Sequence, residues 1–490
     1  CCACNKYLLE ITTFIAGTTG MIIELVAARI LSPYLGNSNL IWTCIIGMML
    51  GFMSLGYLIG GKISDKHPQI NLLALFLLNS AVFISMIPLL EVYAVEPLSN
   101  TKLNNSVIAI ICSTITFGIP SMFLATASPF AVKLKDKELG EVGRISGRMS
   151  ALSTIGSIVG TFLAGFILIP YIGVKNIILV LVIILSILSF ILYEEKDIRY
   201  IVKSIITIIL LISIVILGKQ TFVKKHQDII VDTDSEYSRM WIKEYKSKSG
   251  KKYKILQVDK GYESILQDKN TLASEYLKYY DLFEYYKPET QKVLMIGGAA
   301  YTYPEYFLEK FKDKQIDVVE IDSKMTKLAQ EYFGLDTSNE RLKIYHEDGR
   351  RYLNTTQNKY DCILLDAFKG LNIPFQLTTK EALESAKKDL TNNGIVITNI
   401  VSALEGKKTN FIKSEYATYK EVFKNVKIFK VQNGLVTDDE VQNIIIVAYD
   451  GDSIENEEIA EKYQNLLNNE ITEYQTYKKI LTDDLCNTEI

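Results

Sequence analysis

At 490 residues the chain is too long for one ordinary domain; length alone suggests roughly two to four. The net charge of −3, with no basic stripe dominating either half, offers no case for nucleic-acid binding. The seven cysteines show neither metal-ligand spacing nor a disulfide framework. Three of them (Cys1, Cys2 and Cys4) crowd a start that lacks Met, from which a truncated or processed beginning is expected. The 48% apolar content is unevenly spread. Residues 7–218 are dominated by Ile, Leu, Val, Gly, Ala and Ser, whereas charges recur every few residues from about 228 onward.

A bilayer core needs roughly 20 apolar residues per helical crossing. Stretches at 7–31, 40–61, 71–92, 106–131, 145–170, 172–193 and 200–218 approach this, so residues 1–218 read as an integral membrane domain of about seven spans. Gly47 with Gly51, Gly56 with Gly60, and Gly156 with Gly160 repeat small residues at four-residue spacing, which predicts close helix–helix contact faces. Glu24 and Arg29 fall in or at the end of the first span. Ionisable groups there are costly and are expected to pair or to face a polar interior. Short loops carrying Lys62, Lys66, Lys133, Lys135, Lys137 and Arg144 belong in the cytoplasm by the positive-inside rule, and counting through seven spans then puts the C-terminal half outside.

A basic linker (219–236, with Lys219, Lys224 and Lys225) leads to a small subdomain at 237–290. There "YSRMWIKEY" and "KYKILQVDKGYESILQD" alternate apolar and polar residues around a Gly turn, predicting antiparallel hairpins. "LASEYLKYYDLFEYY" (272–286) has helical spacing, and its tyrosines read as core or groove lining. From 291 to 490 the pattern becomes alternating strand and helix, with strands expected at "KVLMIGG", 315–322, 341 onward, 360–368, 394–401, 425–431 and 441–450. Buried apolar strands separated by helices predict a doubly wound α/β sheet, whose ligands lie beyond the carboxyl ends of the strands.

Those ends carry the candidate site. Gly297 and Gly298 permit close backbone approach after the first strand, but G-G-A-A-Y-T is not G-x-G-x-x-G, which disfavours NAD. Glu320 ends the second strand, where a carboxylate can accept both hydroxyls of a ribose. Asp348, followed by Gly349, ends the third and could accept from an adenine amino group. Asp366 ends the fourth and faces the middle of the crevice, where a reacting group would sit.

Segments "VVEID", "HEDGRRYL", "YDCILLDAFKG", "IPFQLTTKEAL" and "LTDD" resemble spermidine synthases, the polyamine aminopropyltransferases with an S-adenosylmethionine-dependent methyltransferase-like fold. With "MIIELVAARILSPYLG", "GYLIGGKISD" and "SGRMSALSTIGSIVGTFLAGFILIPYIG", the whole chain resembles the membrane-fused spermidine-synthase-like proteins, whose N-terminal part is a transporter-like helical domain. The resemblance implies decarboxylated S-adenosylmethionine as co-substrate, without metal, held by Gly297, Gly298, Glu320, Asp348 and Gly349. It implies a small amine such as putrescine as acceptor, with Asp366 helping to deprotonate it. The soluble family also tends to form dimers or tetramers.

Two departures alter the amine half of the site. The family's loop Asp, which holds the aminopropyl ammonium, is replaced by Ala300, and a second Asp near the amine is replaced by Lys369. Losing carboxylates and gaining a cation makes a poorer cradle for a polycation. Three readings therefore stay open: an aminopropyltransferase, a methyltransferase using S-adenosylmethionine itself, and a transporter-like protein with a nucleoside-sensing domain. The donor is made in the cytoplasm, so the chemistry expects a multi-pass protein of the cell membrane with its soluble half inside, against the charge pattern.

Overall fold

The computed structural model describes residues 7–135, 142–194, 198–268, 271–367, 374–406, 409–431, 436–451, 457–476 and 479–484. The chain divides into two compact units, Cys1–Met240 and Trp241–Ile490.

Among the described residues of the first unit the apolar runs form seven helices long and apolar enough to cross a membrane: Leu8–Leu35, Asn39–Lys66, Ile70–Ser99, Asn105–Lys135, Val142–Ile172, Val174–Leu192 and Ile198–Lys225. The third, fourth and fifth contain wider π-helical turns at Glu91–Val95, Thr114–Gly118 and Ala164–Ile172. Pro88, Pro120 and Pro170 lie in or near them. A proline lacks the N–H that the preceding turn needs, and a wider turn accommodates the released carbonyl.

The glycine pairs behave differently from one another. A Cβ at Gly156 or Gly160 would collide with the carbonyls of Phe14 and Thr18, and one at Gly56 with that of Met122. Backbone therefore packs on backbone at these points. At Gly47 and Gly51 a Cβ would meet nothing within 4 Å, so among the described residues no helix packs on these two positions. Among the described residues Glu24 has no hydrogen bond or ion pair, so of the two expectations for it the pairing is not met there. Arg29 turns away, donating from Nη2 to the Glu236 carbonyl at 2.6 Å.

The last helix runs past Gly218 to Lys225, and β1 (Ile229–Asp234) follows where the sequence suggested only a linker. Next to β1 lies a buried charge cluster. Arg239 donates to Asp232 (Nε to Oδ1 and Nη2 to Oδ2, both 3.0 Å) and to Glu91 (Nη1 to Oε1, 3.0 Å). Lys175 Nζ reaches Asp232 Oδ2 at 2.6 Å.

The second unit opens on the remainder of β2 (Arg239–Lys246). Next come the antiparallel β3 (Lys252–Val258), β4 (Gly261–Asp268) and β5 (Thr271–Leu272). The Tyr-rich segment is helical but tighter than expected, a 3₁₀ stretch over Glu275–Leu282 closed by one α-turn at Phe283–Tyr286. The main sheet comprises β6 (Lys292–Ile296), β7 (Gln315–Val319), β8 (Leu342–Tyr345), β9 (Tyr360–Leu365), β10 (Leu390–Ser402), β11 (Asn425–Lys430) and β12 (Gln442–Tyr449). Its order is β11-β12-β10-β9-β6-β7-β8, with β12 antiparallel to both neighbours. The sheet is mixed, parallel from β10 through β9, β6 and β7 to β8. The strands are apolar on both faces, and alternate residues feed two cores. Val293, Met295, Ile316 and Val318 enter one; Leu294, Ile296, Ile363 and Leu365 enter the other.

Candidate active site

Because β8, β7, β6 and β9 are consecutive neighbours, the expected residues emerge in one row along the carboxyl edge: Asp348, Glu320, Gly297 and Asp366.

The turn after β6 is tightly determined. Gly297 has φ +96° and donates to the Val319 carbonyl at 2.8 Å, and a Cβ there would collide with the Asp366 carbonyl. Only glycine meets both demands. Ala299 (φ 45°) and Tyr301 (φ 57°) also take left-handed conformations, at about 1 kcal/mol or more each. The Tyr301 N–H donation to the Gly298 carbonyl (2.7 Å) and the bond between the Tyr301 and Thr326 hydroxyls (2.8 Å) hold the turn in place.

Glu320 fastens the same turn from below. Its Oε2 accepts from the Gly298 and Ala299 amides (2.9 and 3.1 Å), and Oε1 from the Asp322 amide (2.9 Å). Burial pushes its carboxyl up and the three amides pull it back, leaving it above the usual range. A carboxylate offers about four acceptor positions. Three are spent on the backbone, so a ribose would share this group rather than have it whole.

Asp348 is half-buried and caps the Gly349–Thr355 helix, accepting from the Arg351 amide at 2.9 Å. A Cβ on Gly349 would run into the Ile296 side chain. Gly349→Ala is therefore expected to cost about 1–3 kcal/mol through overpacking, read as a lower thermal midpoint. An unchanged midpoint would contradict the packing described.

Asp366 sits one residue past β9 and is half-buried. Oδ1 accepts from Asn399 Nδ2 (3.1 Å) and Oδ2 from the Tyr276 hydroxyl (3.3 Å). The buried Tyr280 hydroxyl lies beside it without a hydrogen bond of good geometry. Burial pushes the Asp366 carboxyl up to about 7, against the pull of these polar neighbours. Asn399 is itself oriented, because its Oδ1 accepts from Asn443 Nδ2 at 3.0 Å.

Sequence reasoning missed Tyr276, Asn399 and Asn443. Nothing separates Tyr276 from the other tyrosines of its run. Asn399 did carry a signal, as a polar residue inside the apolar strand "GIVITNIV". Ala300 is buried, and its amide donates to Ser264 Oγ at 3.2 Å. Lys369 lies outside the described residues. The "LTDD" motif is structural here: Asp483 accepts from Arg350 (2.9 Å) and from Thr379 (2.7 Å), the N-cap of the Lys380–Lys388 helix.

This part of the chain can be set beside known proteins. Residues 274–432 match the spermine/spermidine synthase domain. The polyamine aminopropyltransferase of Vibrio vulnificus is 32% identical over 149 residues, 30% of this chain and 48% of that protein. That of Streptococcus uberis is 37% identical over 116 residues, 22% of this chain and 40% of that protein. The chain thus spans about half or less of the length of the curated relatives it matches. Among solved structures, a probable spermidine synthase from Corynebacterium glutamicum shares 19% identity, covering 53% of this chain and 99% of that one, with a TM-score of 0.43. Spermidine synthase from Thermotoga maritima shares 18%, covering 51% and 81%, with a TM-score of 0.39. Glu320, Asp348 and Asp366, together with Tyr276 and Asn399, all fall inside the synthase-domain match, whereas the seven apolar helices precede it.

Proposed function

We propose that the chain is a membrane-anchored aminopropyltransferase, moving the aminopropyl group of decarboxylated S-adenosylmethionine to a small amine such as putrescine. The observation that carries this reading is the Asp366 carboxyl, poised near 7 between Tyr276 and Asn399. An amine nucleophile must shed a proton as it attacks, and a base with a pKa near the working pH is the effective choice. As the C–N bond forms, the C–S bond to the sulfonium breaks, methylthioadenosine leaves, and the ammonium proton passes to Asp366. Glu320 and Asp348, with Gly297, Gly298 and Gly349, would hold the nucleoside so that donor carbon and nitrogen lie in line, where most of the acceleration arises.

The test is turnover by full-length protein extracted from membranes, supplied with decarboxylated S-adenosylmethionine and putrescine. Methylthioadenosine that forms only when the amine is present supports the reading; amine-independent release overturns it. Tyr276→Phe removes one hydrogen bond to the ionised carboxylate, worth about 1.5 kcal/mol. It is expected to move the apparent pKa up by about one unit, measured from the pH–rate profile. An unmoved profile would remove Tyr276 from the account.

Ala300 favours a second reading, methyl transfer. A loop lacking a carboxylate at this point does not repel the carboxylate of S-adenosylmethionine.

For the anchor, the seven apolar helices support a multi-pass protein of the cell membrane. With the donor made in the cytoplasm, Trp241–Ile490 belongs on that side. Protease added to intact cells should leave 237–450 uncut, and cleavage there would overturn this placement.

A further inference from the structure

Two asparagines interrupt an apolar face of the main sheet, the face that packs on the 3₁₀ segment. In β10 the stripe of Ile395 and Ile397 is followed by Asn399; in β12 the stripe of Val447 and Ile445 leads, toward the same edge, to Asn443. Asn443 lies opposite Val401, two residues beyond Asn399, so the two asparagines are diagonal neighbours on one face. Asn399 is 3% exposed, whereas Asn443 is half-buried. A buried amide destabilises its surroundings unless its hydrogen bonds are made. Here they are made in a row that ends on Asp366. Asn443 Nδ2 donates to Asn399 Oδ1 at 3.0 Å, and Asn399 Nδ2 donates to Asp366 Oδ1 at 3.1 Å.

The direction of that row matters. A carboxamide has a donating end and an accepting end, and half a turn exchanges them. With its NH2 toward Asp366, Asn399 hydrogen-bonds the ionised carboxylate. With its oxygen there, it would repel the ionised form and accept only from the protonated one. Hydrogen bonding to one protonation state favours that state. The two ends of the Asn399 amide are nearly equal in size, so packing does not choose between them. The choice falls to whatever faces its other end, and among the described residues that is the Asn443 amide, as a donor. The phenols facing Asp366 keep their charge near neutrality. Tyr276 and Tyr280 come from the 3₁₀ segment, and burial raises both well above their ordinary value, with Glu263 of β4 pushing Tyr276 the same way.

We propose that Asn443 is a positioning residue for Asp366: by donating to Asn399 it keeps the Asn399 NH2 turned toward the carboxylate and favours the ionised form that takes up the ammonium proton. The use made of that form rests on the aminopropyl-transfer reading; the orientation of Asn399 does not.

The carboxyl itself provides the test. Infrared difference spectra of purified full-length protein, recorded against pH, contain the C=O stretch of protonated Asp366, assigned as the band missing from an Asp366→Asn protein. Asn443→Ala should move the midpoint of that band up by about half a unit to one unit, the shift that one neutral hydrogen bond supports. Asn399→Ala should also move it up. Adding Asn443→Ala to Asn399→Ala should then produce no further shift, because the path between Asn443 and Asp366 is already cut. The rising limb of the pH–rate profile for methylthioadenosine formation should move with the midpoint, while binding of methylthioadenosine is unchanged. An unmoved or lowered midpoint in Asn443→Ala, or a shift that persists in full beside Asn399→Ala, would overturn the proposal. If the midpoints move as stated and no methylthioadenosine forms from the decarboxylated donor and putrescine, the role of Asn443 stands and aminopropyl transfer falls. Methylthioadenosine formation with an unmoved midpoint gives the reverse.

Discussion

Asp366→Asn is expected to lower turnover by about 10²–10⁴-fold, the usual contribution of a positioned base, while methylthioadenosine still binds. The amide keeps the volume and can still hydrogen-bond Tyr276, but it cannot take the proton. In the unsubstituted protein the rate should climb through about pH 7 as Asp366 ionises. The same group fixes the sign of a stability effect. Its folded pKa lies above the ordinary aspartate value of about 3.9. Between those values the folded state binds more protons than the unfolded one, so Asp366 costs stability progressively as pH rises from about 4 to 7. At pH 8 the Asn variant should therefore melt higher than the parent. Three units would be worth about 4 kcal/mol as a ceiling, and water reaching the half-buried carboxylate reduces it. A variant with full activity would sink the assignment. One melting lower at pH 8 than the parent would contradict the burial that raises the pKa.

Arg239→Met should have the largest effect on folding, about 3–5 kcal/mol of destabilisation. Arg239 is fully buried between Asp232 and Glu91, and removing it takes from both carboxylates the guanidinium they share, while Asp232 keeps its pair with Lys175. Burial alone would raise the Asp232 carboxyl, but Arg239 and Lys175 together hold it well below the usual range. The stability this pair contributes is present above an ordinary aspartate pKa and lost as pH falls through the depressed one. Without Arg239 the variant should lose that advantage at neutral pH. Thermal unfolding of detergent-extracted protein at pH 7 measures it. A midpoint within a degree or two of the parent would show that the cluster contributes nothing.

Much of this architecture is written in local pattern. Seven apolar runs became seven helices, and the strands of the main sheet fall where alternating blocks predicted them, because period and length are local properties. The row of acids at the strand ends was legible for the same reason: a strand's last residue is known once the strand is. Partnership was not legible. Glu320 spends most of its acceptor capacity on the turn beside it, and Asp348 spends one oxygen on a helix cap. Asp366 finds Tyr276 from 90 residues earlier and Asn399 from 33 later. The glycine spacing at Gly47 and Gly51 looked identical to that at Gly56 and Gly60, yet among the described residues only the latter pair meets another helix. Spacing states that a close approach is possible, and the rest of the unit decides whether anything approaches.

The measurement that most directly tests the central claim is a competition between donors. Purified full-length protein is given S-adenosylmethionine and its decarboxylated form together with putrescine, and the nucleoside product is identified by mass spectrometry. The account predicts methylthioadenosine, matched by an amine heavier by one aminopropyl group. S-adenosylhomocysteine with a methylated amine would contradict it and assign the Asp366 site to methyl transfer.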